Sequence, residues 1–219
     1  MEMIFLGTSA GVPTKARNVS GLALKKQSDK AWYLIDCGEG TQHQLLRTKL
    51  SLNQLHAILI THVHGDHCYG LPGLLASAAM SGREQPLKIV APRPISGFLE
   101  SIQALIGLQL PYRIDFIYVE SATQGIDTDD FYIEPVALSH GVASYGYVFT
   151  EKGVERKLDK QRLLDQGVQP GPVWGRLQQG EDVHLDSGMI LKNEDFLRTM
   201  RRARKVIVAG DNDTPELLA

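Results

Sequence analysis

The chain has 219 residues, 43% of them hydrophobic and 22% charged, with a formal net charge of −2 and two cysteines. This composition supplies a globular core but excludes a disulfide framework and a strong overall field for nucleic acid. No run approaches the roughly 18 apolar residues of a transmembrane helix, and the opening Met1–Leu6 stretch is too short for a secretory signal, so the expectation is a cytoplasmic protein without a membrane partner.

Short runs rich in β-branched and aromatic residues, bounded by Gly, Pro and Asn, predict strands at Met3–Leu6, Gly21–Lys25 and Trp32–Ile35. Thr41–Lys49 reads as a helix, Ala57–Ile60 as a strand, and Leu71–Met80 as a small-residue helix that Gly82 ends. After a strand at Leu87–Val90, the apolar stripe Ile95, Phe98, Leu99, Ile102, Leu105 and Ile106 predicts a helix. Strands return at Ile114–Val119, Phe131–Leu138 and Tyr145–Phe149. From Glu151 to about Leu191 the chain turns polar and charged, punctuated by Gly167, Pro170, Gly171, Pro172, Gly175 and Gly180. It reads as an excursion from the core. A helix-like stretch at Glu194–Arg201 and a buried strand at Lys205–Ala209 lead to Gly210-Asp211. The expected organisation is a core over 1–150, an arm over 151–191 and a return to the core over 192–219. Two β-rich blocks with helices between them predict an α/β protein, an αββα sandwich.

The chemistry concentrates in Thr61-His62-Val63-His64-Gly65-Asp66-His67, directly after an apolar strand. Three imidazoles and a carboxylate this close are too polar for a core. A turn after a strand lets His62 and His64 point one way and Asp66 with His67 the other, which suits two adjacent cations with open positions for water. Gly65 fits the sharp turn. Asp36 also ends a strand: it orients a ligand imidazole from behind, or it is a turn carboxylate accepting backbone N–H groups. His140 and Asp211, taken alone, are ordinary strand-end residues. His43, His56 and His184 read as structural or solvated; the Cys68 thiol, next to His67, reads as a packing group before a metal contact, and Cys37 needs no redox role.

The motif is the hallmark of the metallo-β-lactamase superfamily. Within it, several blocks resemble the ribonuclease Z family: Phe5-Leu6-Gly7-Thr8-Ser9-Ala10-Gly11-Val12-Pro13-Thr14, Asp36-Cys37-Gly38-Glu39-Gly40-Thr41-Gln42, and the histidine motif followed by Gly70-Leu71-Pro72-Gly73. Ser139-His140 before Tyr145-Gly146-Tyr147, and Gly210-Asp211 after an apolar strand, continue the pattern. The resemblance implies a metallo-β-lactamase sandwich and a zinc-dependent endoribonuclease that matures the 3′ end of precursor tRNA, as a homodimer. It places His62, His64 and His140 at a first zinc, Asp66 and His67 at a second, and Asp211 between them. Asp66 takes the proton-acceptor role. Because a metal-bound aspartate is a weak base, that role reads as accepting a hydrogen bond from the nucleophile.

The excursion resembles the family's flexible arm, which grips the tRNA away from the zincs, with Pro170-Gly171-Pro172 as its Gly-Pro motif. Lys152, Arg156 and Lys157 there, and Lys15 and Arg17 in the Gly-rich loop, are candidate phosphate holders; as bare residues they read equally well as solvated surface. The family pattern continues past Asp211 with further histidines that have no match here, and Asn212 stands where a threonine is usual. The sandwich is therefore expected to be incomplete at its C-terminus, with one zinc held tightly. Two other readings stay open: another hydrolase of the superfamily, acting on a thioester, lactone or small phosphodiester, and a non-catalytic metal- or RNA-binding module.

Overall fold

The computed structural model describes residues 1–27 and 29–218; Ala219, the last residue of the expected return segment, lies outside the described residues. The chain divides into two compact units, one formed by Met1–Thr150 with Lys205–Ala219 and the other by Glu151–Arg204.

The first unit opens with β1 (Glu2–Gly7), β2 (Gly21–Lys25), β3 (Trp32–Ile35), the short helix α1 (Thr41–Leu45) and β4 (Leu55–Leu59). There follow a single helical turn, α2 (Gly65–Cys68), then α3 (Leu71–Met80), β5 (Leu87–Ala91), α4 (Pro94–Ile106) and β6 (Ile114–Tyr118). β7 (Ile126–Asp127), β8 (Phe131–Leu138) and β9 (Ser144–Glu151) complete this stretch. Among the described residues β1 to β6 form one sheet in sequence order. Its first pairs are antiparallel, while β3, β4, β5 and β6 run parallel, with helical crossovers between them.

The strands β2 to β5 of this sheet are buried on both faces. Leu34, Ile58 and Ile89 point into a cluster with Leu71, Leu74, Leu75, Ile95 and Leu99 of α3 and α4. The alternate residues Tyr33, Ile35, Leu59 and Val90 meet Phe131, Ile133, Tyr147 and Phe149 from the second sheet. The period-2 alternation of a strand thus feeds two separate cores, and this explains why β3 and β4 read as unbroken apolar runs. The fold is an α/β sandwich with helices on one sheet and that sheet on the second.

The second unit holds β10 (Arg156–Leu158), α5 (Lys160–Asp165), α6 (Pro172–Gln178), β11 (Val183–His184), β12 (Ile190–Leu191), α7 (Asn193–Phe196) and β13 (Leu197–Thr199). It has its own core of Leu163, Val168, Leu177, Val183, Leu191 and Phe196. Its chain entry and exit are tied together: the Glu151 carboxylate accepts both Arg201 guanidinium nitrogens at 2.6 and 2.8 Å, and the Glu151 N–H donates to the Arg204 carbonyl. The unit runs to Arg204, beyond the Leu191 boundary expected from composition, because Phe196 belongs to its core and β13 pairs with β10.

That pairing also corrects the helix expected over Glu194–Arg201. The helix stops at Phe196, and Leu197–Thr199 form a strand because β10 offers them a ladder, a tertiary choice that local propensity does not encode. The chain then returns as β14 (Lys205–Ala209), antiparallel to β9 with Lys205 opposite Thr150. β14 is an edge strand of the second sheet, ordered β14-β9-β8-β7, and not the buried strand expected: Lys205, Ile207 and Ala209 are exposed. Among the described residues no helix is long and apolar enough to cross a membrane.

Candidate metal centre

The centre is built where β3, β4, β8 and β14 end. The parallel strands β3 and β4 present Asp36 and Thr61 just past their C-terminal ends, the edge where open α/β sheets place their ligands. Asp36 is 3% exposed and takes φ 58°, a left-handed conformation that aspartate tolerates better than most residues. Its carboxylate accepts the Thr61 N–H at 2.9 Å and the Ser20 hydroxyl at 3.2 Å, and lies 2.6 Å from His67 Nδ1. Asp36 thus accepts a backbone N–H and lies within hydrogen-bond distance of an imidazole.

Thr61 is fully buried; within the histidine motif it carries no signal of its own, because a threonine at a strand end is ordinary. Its hydroxyl is 3.0 Å from both Asp36 oxygens and 3.0 Å from His62 Nδ1. One carboxylate therefore sets two imidazoles, His67 directly and His62 through Thr61. Each ring keeps its Nε2 turned into the centre.

Four candidate donor atoms converge. His62 Nε2 is 3.1 Å from His64 Nδ1, and His140 Nε2 is 3.4 Å from the same atom. Asp211 Oδ2 lies 3.9 Å from His62 Nε2 and 3.8 Å from His140 Nε2. All four atoms fall within 4.8 Å of one another. A tetrahedral zinc with ligands at about 2.1 Å spaces its donors about 3.4 Å apart. The four separations of 3.1, 3.4, 3.8 and 3.9 Å lie close to that spacing, and three imidazoles with one carboxylate are zinc-type chemistry.

The other Asp211 oxygen, Oδ1, lies 3.6 Å from His67 Nε2, which is 3.5 Å from Asp66 Oδ2. Asp211 thus shows one oxygen to the three-histidine cluster and the other to the Asp66–His67 pair. Burial, then the neighbouring His67, pushes His62 down to about 4, so it is a neutral ring with a free lone pair. For His67, burial opposes charge, but the Asp36 hydrogen bond and the charges of Asp36, Asp66 and Asp211 outweigh it and raise its pKa.

The Asp211 loop is pinned to the His140 loop: Ser144 Oγ donates to the Asp211 carbonyl at 2.9 Å, and the Ser139 N–H to Asn212 Oδ1 at 3.2 Å. On the other side, Gly11 N–H donates to Asp66 Oδ2 at 2.7 Å. That bond brings the loop bearing the exposed Lys15 and Arg17 to the centre. Lys152, Arg156, Lys157, Gly171 and Pro172 all belong to the second unit; Gly171 and Pro172 start α6 there, exposed. His43, His56 and His184 are not members of the cluster. Cys37 and Cys68 are buried, and burial pushes both thiols up, that of Cys68 to about 12.

The family model of the anti-Pycsar protein Apyc1 matches residues 1–106. A ribonuclease Z of Marinobacter nauticus is 53% identical over 218 residues, covering 100% of this chain and 68% of the relative. A ribonuclease Z of Bacillus cereus is 40% identical over 96% of this chain and 69% of its own length. Among solved structures, the short form of human tRNase Z superposes with a TM-score of 0.61 at 31% identity, over 70% of this chain and 66% of that one. The Bacillus subtilis metallo-β-lactamase fold protein YhfI, at 22% identity and a TM-score of 0.53, shares the fold. The chain belongs to the ribonuclease Z family of hydrolytic endoribonucleases, built on the metallo-β-lactamase fold.

Proposed function

We propose that the chain works as a zinc-dependent phosphodiesterase that cuts precursor tRNA endonucleolytically at its 3′ end. The observation that carries this reading is the convergence of His62, His64, His140 and Asp211 within 4.8 Å at the strand ends, in a chain 53% identical to a ribonuclease Z. These four would hold the tighter cation; Asp66, His67 and the second Asp211 oxygen, three donors in all, would hold a weaker one. Elemental analysis after long dialysis should then find close to one zinc per chain. Bound there, zinc supplies Lewis acidity, acidifying a water toward neutrality and drawing charge from phosphate oxygens.

The protein's own groups supply the rest. Asp36 and Thr61 hold the imidazoles of His67 and His62 in the tautomer that faces the centre. Asp66, itself held by Gly11 N–H, accepts a hydrogen bond from the attacking water and lines it up with the phosphorus. Lys15 and Arg17, on the loop that Gly11 anchors, contact phosphates beside the scissile bond. The Glu151–Arg204 unit serves as the arm that grips the tRNA, through Lys152, Arg156, Lys157 and the Gly171-Pro172 turn. A cytoplasmic homodimer is the working form in this reading, and sedimentation velocity measures it.

The test is incubation of the chain with a precursor tRNA, with and without a chelator. A discrete 3′ trailer product that disappears with chelator and returns with added zinc is the expected result. Cleavage that persists without metal would overturn the reading. Turnover of a small phosphodiester with an intact tRNA would favour the small-substrate hydrolase instead.

A further inference from the structure

His140 differs from the other two imidazoles that turn Nε2 into the centre. His62 has its outward nitrogen 3.0 Å from the Thr61 hydroxyl, and His67 has its own 2.6 Å from Asp36. His140 shows Nε2 to the cluster in the same way, 3.4 Å from His64 Nδ1 and 3.8 Å from Asp211 Oδ2. For Nε2 to offer a lone pair, the proton must sit on Nδ1. Yet Nδ1 of His140 is buried and has no hydrogen-bond partner among the described residues. A buried N–H without an acceptor is unfavourable, and the opposite tautomer would close the ring to a metal.

The carboxylate that faces this nitrogen belongs to Asp213, with Oδ1 3.6 Å from Nδ1. That is just beyond hydrogen-bond range. The Asp213 side chain is 68% exposed, so its rotation is unobstructed by burial. Its backbone, by contrast, is fixed beside His140: the Asp213 N–H donates to the Ser139 carbonyl at 2.7 Å, and Asn212 Oδ1 accepts the Ser139 N–H. Bringing the 3.6 Å separation to hydrogen-bond distance needs a carboxylate shift of about 0.4 Å.

We propose that Asp213 is a positioning residue, whose carboxylate accepts the His140 Nδ1–H and so fixes the tautomer in which His140 offers Nε2 to a metal. The inference rests on the metal-centre reading above and adds to it a residue which that reading does not use. It completes a pattern: Thr61, Asp36 and Asp213 each stand behind one imidazole. Partners in this position are worth ten- to hundredfold in metal affinity where they have been removed from metal–histidine sites.

The test compares zinc affinity, by competition against a fluorescent chelator, for the native chain, Asp213→Ala, Asp213→Asn and Glu216→Ala. Asp213→Ala should weaken zinc binding about ten- to hundredfold. Asp213→Asn, which keeps an acceptor oxygen, should recover part of the loss. Glu216→Ala, which removes an equal charge from the same end of the chain, should change affinity less than twofold. Long-range ¹H–¹⁵N spectra of the zinc-loaded chain should show the His140 proton on Nδ1, and that resonance should shift or broaden in Asp213→Ala while the thermal midpoint of the metal-free chain stays unchanged. Equal zinc affinity in the native chain and Asp213→Ala overturns the inference and leaves the metal centre standing, as does an equal loss in Glu216→Ala. A native chain that binds no zinc overturns both.

Discussion

Replacing Asp36 separates orientation of the ligands from folding, because its carboxylate is the junction of Ser20, Thr61 and His67. Asn is isosteric and tolerates the positive φ of 58°, so Asp36→Asn should fold. One oxygen becomes an NH₂ group, which must face either the Thr61 N–H or His67 Nδ1. The conflict is relieved if His67 moves its proton to Nε2, the nitrogen 3.5 Å from Asp66 and 3.6 Å from Asp211, and a protonated Nε2 cannot bind a cation. Loss of such an outer partner weakens metal binding by about 10- to 100-fold, or about 1.4 to 2.8 kcal/mol. Asp36→Ala should do more. It strands the buried Thr61 N–H and His67 Nδ1–H at about 1–3 kcal/mol each and puts an alanine where φ is positive at about 1–2 kcal/mol. The total, about 3–8 kcal/mol, approaches the whole stability of a typical domain. Chelator-competition titration gives the metal affinities, and urea unfolding of the metal-free chains gives the stabilities. An Asp36→Asn protein that binds zinc within twofold of the native affinity would refute this account of the junction.

His64→Ala removes one of four converging donors and should abolish tight metal binding, whereas His184→Ala, outside the cluster, should leave metal content unchanged; equal losses would contradict the ligand set. Thr150 and Lys205 are opposite each other on β9 and β14, so deleting 151–204 and joining the ends by Asn-Gly should make a two-residue hairpin and leave zinc content intact while tRNA affinity falls. Circular dichroism and metal analysis check the first point and filter binding the second; unchanged tRNA affinity would remove the arm from substrate binding. Arg201 hydrogen bonds, working against burial and helped by the Arg204 N–H, hold the Glu151 carboxyl down to about 2. A folded pKa below the ordinary 4.5 means that the pair stabilises above pH 4.5 and loses that contribution as pH falls from 4.5 through 2. The gap in thermal midpoint between native and Glu151→Gln chains should therefore be present at pH 7 and largely gone by pH 2, and a constant gap would contradict the assignment.

What the chain order alone determined is what neighbouring residues decide among themselves. Gly21–Lys25, Trp32–Ile35, Leu71–Met80 and Phe131–Leu138 form the elements read from their residue types, with those bounds. His62, His64, Asp66 and His67 come together because they share one turn after β4, so their grouping needed no knowledge of the fold. His140 and Asp211 are different. Seventy-six positions separate His64 from His140, and local propensity says nothing across such a distance; family resemblance marked them, not periodicity. The β14–β9 register, with Ala209 opposite Gly146, sets Asp211 beside the His140 loop, and a slip of one residue would turn β14's side chains to the other face. The junction at Thr61, the Gly11 N–H on Asp66 and the approach of Asp213 to His140 each depend on long-range contacts too. So does the strand Leu197–Thr199, which looked helical until β10 offered it a partner. Residue type sets what each segment can do, but strand pairing and burial select which side chains meet, because hydrogen-bond ladders and packed faces are satisfied only between segments far apart in sequence.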